Sequence, residues 1–364
     1  MCYDAGVNRR HFLSCALGAA GAARLTAAEP RFPLGLNTYC LRSLRWPDAK
    51  LLEYAASLKL DAIFLQDSLD PKAMEAGHWK TVRAQARDLG LHLETGGGSI
   101  LPKAPEVFGD TVNTLRKHIE RAAALGSPLV RSVIASQRSA LAPGSVPQTI
   151  ETVVKVLRAV RTQAMDAGLK IALETHKDLQ AWEFKELVEA AGKEYVGVLL
   201  DTGNPLFAME HPLTTIETLG PYALTFHLQD AVVYEHKRGI AVQCVPVGEG
   251  VNDFKAILSA VRDRCPKVAV YVKPITGRPP AVLAIHDEEY WKMYPRARAP
   301  EFARFLALAK AGHPYDGHVM VEDLSGRPYP EHFLAAIQYQ QREHMERGLG
   351  FAQRVLDLGV RWRQ

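Results

Sequence analysis

The sequence lacks the features that define several protein classes. Five cysteines among 364 residues, none of them in a CxxC pair, argue against a disulfide scaffold and a cysteine zinc site. The net charge of +4 is small and dispersed, which argues against nucleic-acid binding. After the first thirty residues, no apolar run approaches the roughly 18 residues that span a bilayer. The GxSxG, HExxH, Walker A and dinucleotide motifs are also absent, which excludes the enzymes that carry those signatures.

The amino terminus has the order of an export signal. Arg9 and Arg10 precede an apolar stretch rich in alanine and glycine over residues 14–23, and small residues follow up to Ala28. This order predicts a signal peptide over residues 1–28, and the paired arginines resemble the twin-arginine export signal. We therefore expect a periplasmic or otherwise exported protein with no stable membrane span after cleavage. The alternative is a helical terminus with two chance arginines.

The remainder of the chain alternates strand-like and helix-like segments. Its composition, 47% hydrophobic and 23% charged, is ordinary for a globular protein. Eight strands alternating with helices predict an α/β fold, a (β/α)8 TIM barrel over residues 31–275. We expect a long loop at 232–252, one helix over 149–165, and an extension over 276–364 whose helices pack on the barrel. The predicted strands cover residues 33–39, 61–66, 91–95, 128–135, 170–175, 196–201, 223–228 and 268–272.

Three consecutive predicted strands end in residues that can bind a metal. Glu174 ends the fifth strand, Asp201 the sixth and His227 lies near the end of the seventh. In a parallel barrel the active site forms at the carboxyl ends of the strands, so these side chains are expected to converge. A mixed oxygen and nitrogen set suits Mn²⁺, Mg²⁺, Co²⁺ or Zn²⁺. The alternative is three polar strand ends that are hydrogen-bonded separately.

Four short motifs, in this order and spacing, resemble the xylose isomerase-like sugar phosphate isomerase/epimerase superfamily over residues 33–275. The resemblance implies a TIM barrel with one divalent metal held by Glu174, Asp201, His227 and a second glutamate on the eighth strand. It also implies a small sugar substrate and Glu174 as a catalytic acid/base. The motifs are Glu174-Thr175-His176, Asp201-Thr202-Gly203-Asn204, His227-Leu228-Gln229-Asp230 and Val247-Gly248-Glu249-Gly250.

The eighth strand departs from this pattern, because Lys273 stands where the resemblance implies the second glutamate. An ammonium beside a dication is unfavourable. Lys273 is therefore expected either to act as a neutral acid/base beside the metal, or to occupy the metal's place and pair with Glu174 and Asp201. Glu322 follows another apolar run and is a possible replacement ligand, although an ordinary charged strand end in the extension is the simpler explanation.

Three further residues are candidate substrate contacts. His176 lies two residues after Glu174, Asn204 can bind a sugar hydroxyl or cap a turn, and Glu94 precedes three glycines at the end of the third strand. Together with the resemblance, these residues favour a metal-dependent isomerase or epimerase that moves a proton next to a carbonyl. A lyase or hydratase acting on an oxidised sugar, and a non-catalytic carbohydrate-binding barrel, are the alternatives. A repair endonuclease is disfavoured because too few strand-end histidines are present.

The export signal yields a direct test. Replacing Arg9 and Arg10 together with lysine keeps the charge but removes the arginine pair, so the unprocessed protein should remain in the cytoplasm. Fractionation followed by immunoblotting measures the distribution. Unchanged export of the double variant would exclude the twin-arginine interpretation.

Overall fold

The computed structural model describes residues 31–67, 69–317, 320–324 and 328–364, so the predicted signal peptide lies outside the described residues. Eight of the described strands form a closed parallel barrel in the order β1-β10-β7-β6-β5-β4-β3-β2. This arrangement confirms the predicted (β/α)8 barrel. The strands are β1 Leu34–Asn37, β2 Ala62–Gln66, β3 His92–Ser99, β4 Leu129–Val133, β5 Lys170–Glu174, β6 Val196–Asp201, β7 Ala223–Leu228, β8 Asp230–His236, β9 Gly239–Val245, β10 Val270–Val272 and β11 Ala281–Leu283.

Amphipathic helices cover the outside of the barrel. The predicted single helix over 149–165 is in fact two helices, Val146–Ala159 and Arg161–Asp166, because Val160 leaves the helical conformation between them. The apolar face of the first helix is nevertheless buried as the spacing predicts. The helices of this layer are α1 Asp48–Ser57, α2 Ala76–Asp88, α3 Phe108–Leu125, α4 Val146–Ala159, α5 Arg161–Asp166, α6 Ala181–Ala191, α7 Pro212–Leu219 and α8 Phe254–Arg264.

A small antiparallel sheet lies beside the barrel, so the prediction of a loop over 232–252 was wrong. Strands β8 and β9 form a hairpin, and β11 from the extension pairs with β9. Gly239 begins β9 with φ +143°, a conformation that only glycine adopts readily. Alternate residues of the hairpin enter a second apolar cluster with Phe207 and Phe305; these residues are Ala231, Val233, Ile240, Val242 and Cys244.

The extension is folded against the barrel. Its helices are α9 Glu288–Trp291, α10 Ala299–Ala311 and α11 Glu331–Arg354. Helix α11 contacts β1, β10 and the 3₁₀ helix at residues 38–44, while α10 packs on β8. Asp61 accepts hydrogen bonds from the backbone N–H groups of Leu34, Val360 and Arg361, which joins the chain end to the amino-terminal side of β1. Among the described residues, no helix is both long and apolar enough to cross a membrane.

Asp230 fixes the loop that follows β9. Its fully buried carboxylate accepts hydrogen bonds from the backbone N–H groups of Ala231, Gly248 and Gly250 at 2.9–3.0 Å. A Cβ atom on Gly250 would lie 2.2 Å from Asp230 Oδ1, so glycine is required for this approach. Asp230 and the Gly248-Glu249-Gly250 motif therefore shape the loop beside the seventh barrel strand.

Removing this carboxylate should destabilise the protein. Asp230→Ala leaves several backbone N–H groups without their acceptor, and the expected loss is about 3 kcal/mol of unfolding free energy. Asp253→Ala is the matched control, because Asp253 is an exposed cap of α8 with two N–H contacts, and its loss should be about 1 kcal/mol. Urea unfolding measures both. Equal losses would contradict the role assigned to Asp230.

Candidate active site at the carboxyl end of the barrel

Four polar side chains converge at the carboxyl end of the barrel, here called the mouth. Glu174 ends β5, Asp201 ends β6, His227 lies in β7 and Lys273 follows β10. Asp201 is aligned with His227 and His227 with Tyr271, which places the strand ends at the same level. All four groups are buried, with Lys273 the most accessible at 5%. Burying so many ionisable groups is unfavourable unless they compensate one another.

Threonines hold the strand ends in register. Thr175, directly after Glu174, accepts a hydrogen bond from the backbone N–H of Asp201 through its hydroxyl at 2.9 Å. Thr202, directly after Asp201, accepts from the N–H of Gln229 and donates to the carbonyl of the same residue. The repeated order of an acidic residue followed by threonine therefore fixes each acidic residue against the next strand.

Lys273 forms ion pairs with both carboxylates. Its Nζ lies 2.5 Å from Glu174 Oε1 and 2.9 Å from Asp201 Oδ2. Burial by itself would lower the pKa of Lys273, but the charges of Asp201 and Glu174 outweigh it and raise that pKa above its usual value. Lys273 is therefore an ammonium at neutral pH. Of the two expectations for this residue, the structure supports pairing with the carboxylates over a neutral amine.

Arg131 is a second cation of the site, and the sequence interpretation missed it. It lies in β4, and its guanidinium pairs with Glu174 Oε2 and donates to the carbonyl of Gly97. Burial would raise the pKa of Glu174, but Arg131 and Lys273 hold it well below its usual value. A Cβ atom on Gly96 would meet the Arg131 side chain at 2.9 Å, so this glycine makes room for the arginine.

His227 faces the carboxylates without a hydrogen bond to them. Its Nδ1 lies 3.9 Å from Glu174 Oε1 and 3.9 Å from Asp201 Oδ2, and no hydrogen-bond partner of Nδ1 is found within the described ranges. Its Nε2 lies 3.3 Å from Asn37 Nδ2. Burial lowers the pKa of His227, so the ring is neutral. Asn37, at the end of β1, is a further site residue that the sequence interpretation missed.

The predicted substrate contacts occupy different positions. Asn204 donates to Glu174 Oε1 at 3.1 Å and to the carbonyl of Thr175 at 3.2 Å, so its amide orients Glu174. His176 lies beside the site and is only partly exposed. Burial of most of its ring lowers its pKa to about 3. A neutral His176 at the mouth is available for a substrate contact.

Glu94 and Glu322 lie apart from the convergent group. Glu94 Oε1 lies 3.4 Å from Nε2 of His92, at the first residue of β3, so this carboxylate faces the opposite end of the barrel. Burial raises the pKa of the Tyr271 phenol well above its usual value, and the neighbouring Glu94 carboxylate raises it further. Glu322 is exposed, in contrast to the buried site residues. The structure therefore brings neither side chain to the four residues at the mouth.

The donor set could hold a metal ion. One atom each from Glu174, Asp201 and His227 lies within 4.8 Å of the others, and all three residues are buried. Two carboxylates and one imidazole are ordinary ligands for zinc, manganese or magnesium. The positions around them fit a dication poorly, however, because the Lys273 ammonium contacts two of the three donor groups.

With this geometry established, the chain can be placed among known proteins. Residues 52–275 match the xylose isomerase-like TIM barrel family, and the chain belongs to that family. It is 26% identical over 187 residues to the uncharacterized protein YihM of Escherichia coli (strain K12), an alignment that covers 48% of this chain and 57% of YihM. It is 23% identical over 238 residues to a 3-oxo-isoapionate decarboxylase of Pectobacterium atrosepticum, covering 63% of this chain and 80% of that protein.

Solved structures show the same fold. A D-psicose 3-epimerase crystallised in the presence of D-fructose superposes with a TM-score of 0.58 at 18% identity, covering 88% of this chain and 98% of the epimerase. The IolI protein with a bound zinc atom superposes with a TM-score of 0.55 at 17% identity, covering 76% of this chain and 96% of IolI. At these identities the likeness shows the fold alone.

The buried position of Arg131 predicts a large effect on stability. Arg131→Met leaves Glu174 Oε2 buried without its cation, and the expected loss is about 3 kcal/mol of unfolding free energy. The matched control is Arg161→Met, because Arg161 and Glu194 form an ion pair that is half exposed and is worth at most about 1 kcal/mol. Urea unfolding of the two variants measures the difference. Equal stability would show that Arg131 is not needed to neutralise Glu174.

Proposed function

We propose that this protein is an enzyme that binds a sugar or an oxidised sugar derivative at the mouth and moves a proton on the carbon next to a carbonyl. The observation that carries the proposal is the convergence of Glu174, Asp201, His227 and Lys273 at four barrel strand ends, the location of catalysis in this fold. The family supports it, since its relatives include an epimerase and a decarboxylase by name.

Proton removal next to a carbonyl creates an oxyanion that the enzyme must stabilise. Lys273 is the candidate for this role, because an ammonium has three N–H donors and two of them are directed at Glu174 and Asp201. A fixed cation in a buried site stabilises developing negative charge more strongly than water does. Glu174 as the base stays a prediction; its three cationic and amide donors favour an electrostatic role in the resting site.

The charge around the mouth favours a substrate that carries a carboxylate. Arg42 and Arg278 both pair with the single carboxylate of Asp323, beyond the end of β1 and of β10 respectively. Lys177 lies 3.7 Å from the centroid of the Phe207 ring, and burial together with the charges of Lys273 and Arg278 lowers its pKa. This excess of cations supports a second candidate, lyase chemistry on an oxidised sugar acid.

The remaining parts of the proposal concern metal and location. A bound divalent ion of manganese, magnesium, cobalt or zinc stays a prediction of the sequence, and the proton transfer proposed above does not depend on it. Export through a twin-arginine signal to the periplasm is likewise proposed from residues 1–28. A non-catalytic carbohydrate-binding barrel is the alternative that the functional experiment must exclude.

Proton exchange in heavy water tests the proposal whatever the final product is. We expect the protein to exchange the hydrogen next to the carbonyl in at least one member of a panel of ketoses, keto-glycosides and keto sugar acids, detected by proton NMR. Lys273→Met should reduce the exchange rate at least about 100-fold, because it removes the oxyanion partner. Lys185→Met, at an exposed lysine of α6, should leave the rate unchanged.

The binding data decide between the alternatives. Sugars that bind, as measured by calorimetry, but show neither exchange nor turnover across the panel would support the non-catalytic barrel and contradict the enzyme. Loss of carbon dioxide or water from a keto sugar acid would identify the lyase.

A further inference from the structure

We propose that the ammonium of Lys273 occupies the position of the divalent cation, so that this site operates without a bound metal. The inference deepens the proposed function, because it names the cation of the same site. Its primary test is metal binding, so it can fail or succeed even if no turnover is found.

The first argument is that the carboxylate oxygens already have donors. Glu174 Oε1 accepts from Lys273 and Asn204, and Glu174 Oε2 accepts from Arg131. Asp201 Oδ1 accepts from the backbone N–H groups of Gly203 and Asn204 at 2.8 Å each, and Asp201 Oδ2 accepts from Lys273. A metal would have to displace the ammonium from both carboxylates before it could bind them.

The second argument is charge. Glu174 and Asp201 carry two negative charges, and Lys273 and Arg131 carry two positive charges, so the buried group of four is neutral. A dication added to it would leave two uncompensated positive charges in a buried site, which is strongly unfavourable. The pattern implied by the family resemblance, a glutamate at position 273 plus a dication, has a net charge of +1. One lysine ammonium supplies the same charge.

The third argument concerns the imidazole. Asn37 Oδ1 accepts a hydrogen bond from the backbone N–H of Tyr39 at 2.9 Å, so the amide nitrogen of Asn37 faces His227 Nε2. Nε2 is then the acceptor of the neutral ring, and the ring proton lies on Nδ1. Nδ1 is the atom directed at Glu174 and Asp201. A protonated nitrogen cannot ligate a metal, whereas its N–H is a suitable neighbour for two carboxylates or for a substrate oxygen.

Metal content of the wild-type protein is the primary measurement. The protein is purified without chelator and dialysed against Zn²⁺, Mn²⁺ or Mg²⁺. It should then retain far less than one equivalent of metal per chain, as measured by inductively coupled plasma mass spectrometry. Calorimetric titration with each metal should show no stoichiometric binding at micromolar concentration. One tightly held equivalent that chelators remove, and that is lost on substitution of His227 with Ala, would overturn the proposal.

Substitution of Lys273 provides the positive counterpart. Lys273→Glu removes the cation and adds a carboxylate, so it should bind Mn²⁺ or Zn²⁺ at least about 100-fold more tightly than the wild type. Lys273→Gln removes the cation without adding a carboxylate and should show an intermediate affinity. Lys177→Glu places the same substitution at a neighbouring lysine that pairs with neither Glu174 nor Asp201. This variant should bind metal no better than the wild type.

The variants also separate binding from folding. If Lys273→Glu is unstable without metal, its thermal unfolding midpoint should rise on addition of Mn²⁺ or Zn²⁺, because a ligand that binds only the folded state stabilises it. Failure of both Lys273→Glu and Lys273→Gln to gain affinity would contradict the idea that Lys273 excludes the metal. If turnover is found, it should survive EDTA in the wild type; sensitivity to EDTA would argue against the proposal and leave the proposed reaction intact.

Discussion

The ion pairing of Lys273 with Glu174 and Asp201 is the interaction on which the site depends. Two acidic side chains at the ends of buried strands would be unstable alone, since burial favours their neutral forms. Lys273 and Arg131 compensate the charges of both carboxylates through direct ion pairs. Breaking such a group by removing one member is costly, because the partner charge remains buried. The polar mouth of this barrel is therefore one electrostatic unit contributed by β4, β5, β6 and the end of β10.

The surrounding structure holds that unit in place. Thr175 and Thr202 connect adjacent strand ends, Asn204 orients Glu174, and Asp230 fixes the loop that follows β9. The sheet of β8, β9 and β11 adds an apolar layer beside the mouth that a regular barrel would not possess. Positions of charged atoms set by backbone hydrogen bonds require little rearrangement when a substrate develops charge.

Periodic features of the sequence were sufficient to predict the fold. Long-range side-chain contacts could not be predicted from them. The eight barrel strands follow from alternating apolar segments, and the carboxyl ends of consecutive strands place Glu174, Asp201 and His227 together.

Arg131 was missed because a long side chain inside a strand does not reveal which end of the barrel it reaches. An arginine in the middle of the short strand Leu129–Val133, paired with Gly96 of the neighbouring strand, is the signal that would have found it. The β8–β9 hairpin was predicted as a loop because its strands gain their burial from β11 and α10, far along the chain. Glu94 was expected at the mouth, but β3 continues to Ser99, so Glu94 is only its third residue.

Lys273 also changes what the site can do for a substrate. A divalent ion can bind two substrate oxygens at once, whereas an ammonium already directed at two carboxylates offers one further N–H. Binding of a polar substrate must then rely on other groups. The candidates around the mouth are Arg42 and Arg278, which share one carboxylate, and Lys177, which lies over Phe207. The ion-paired residues Glu174, Asp201, Lys273 and Arg131 have no net charge, so they do not repel an approaching anion. Cations around a neutral centre support the proposal that the substrate carries its own negative charge, and the lysine at position 273 is part of that argument because it leaves the centre neutral.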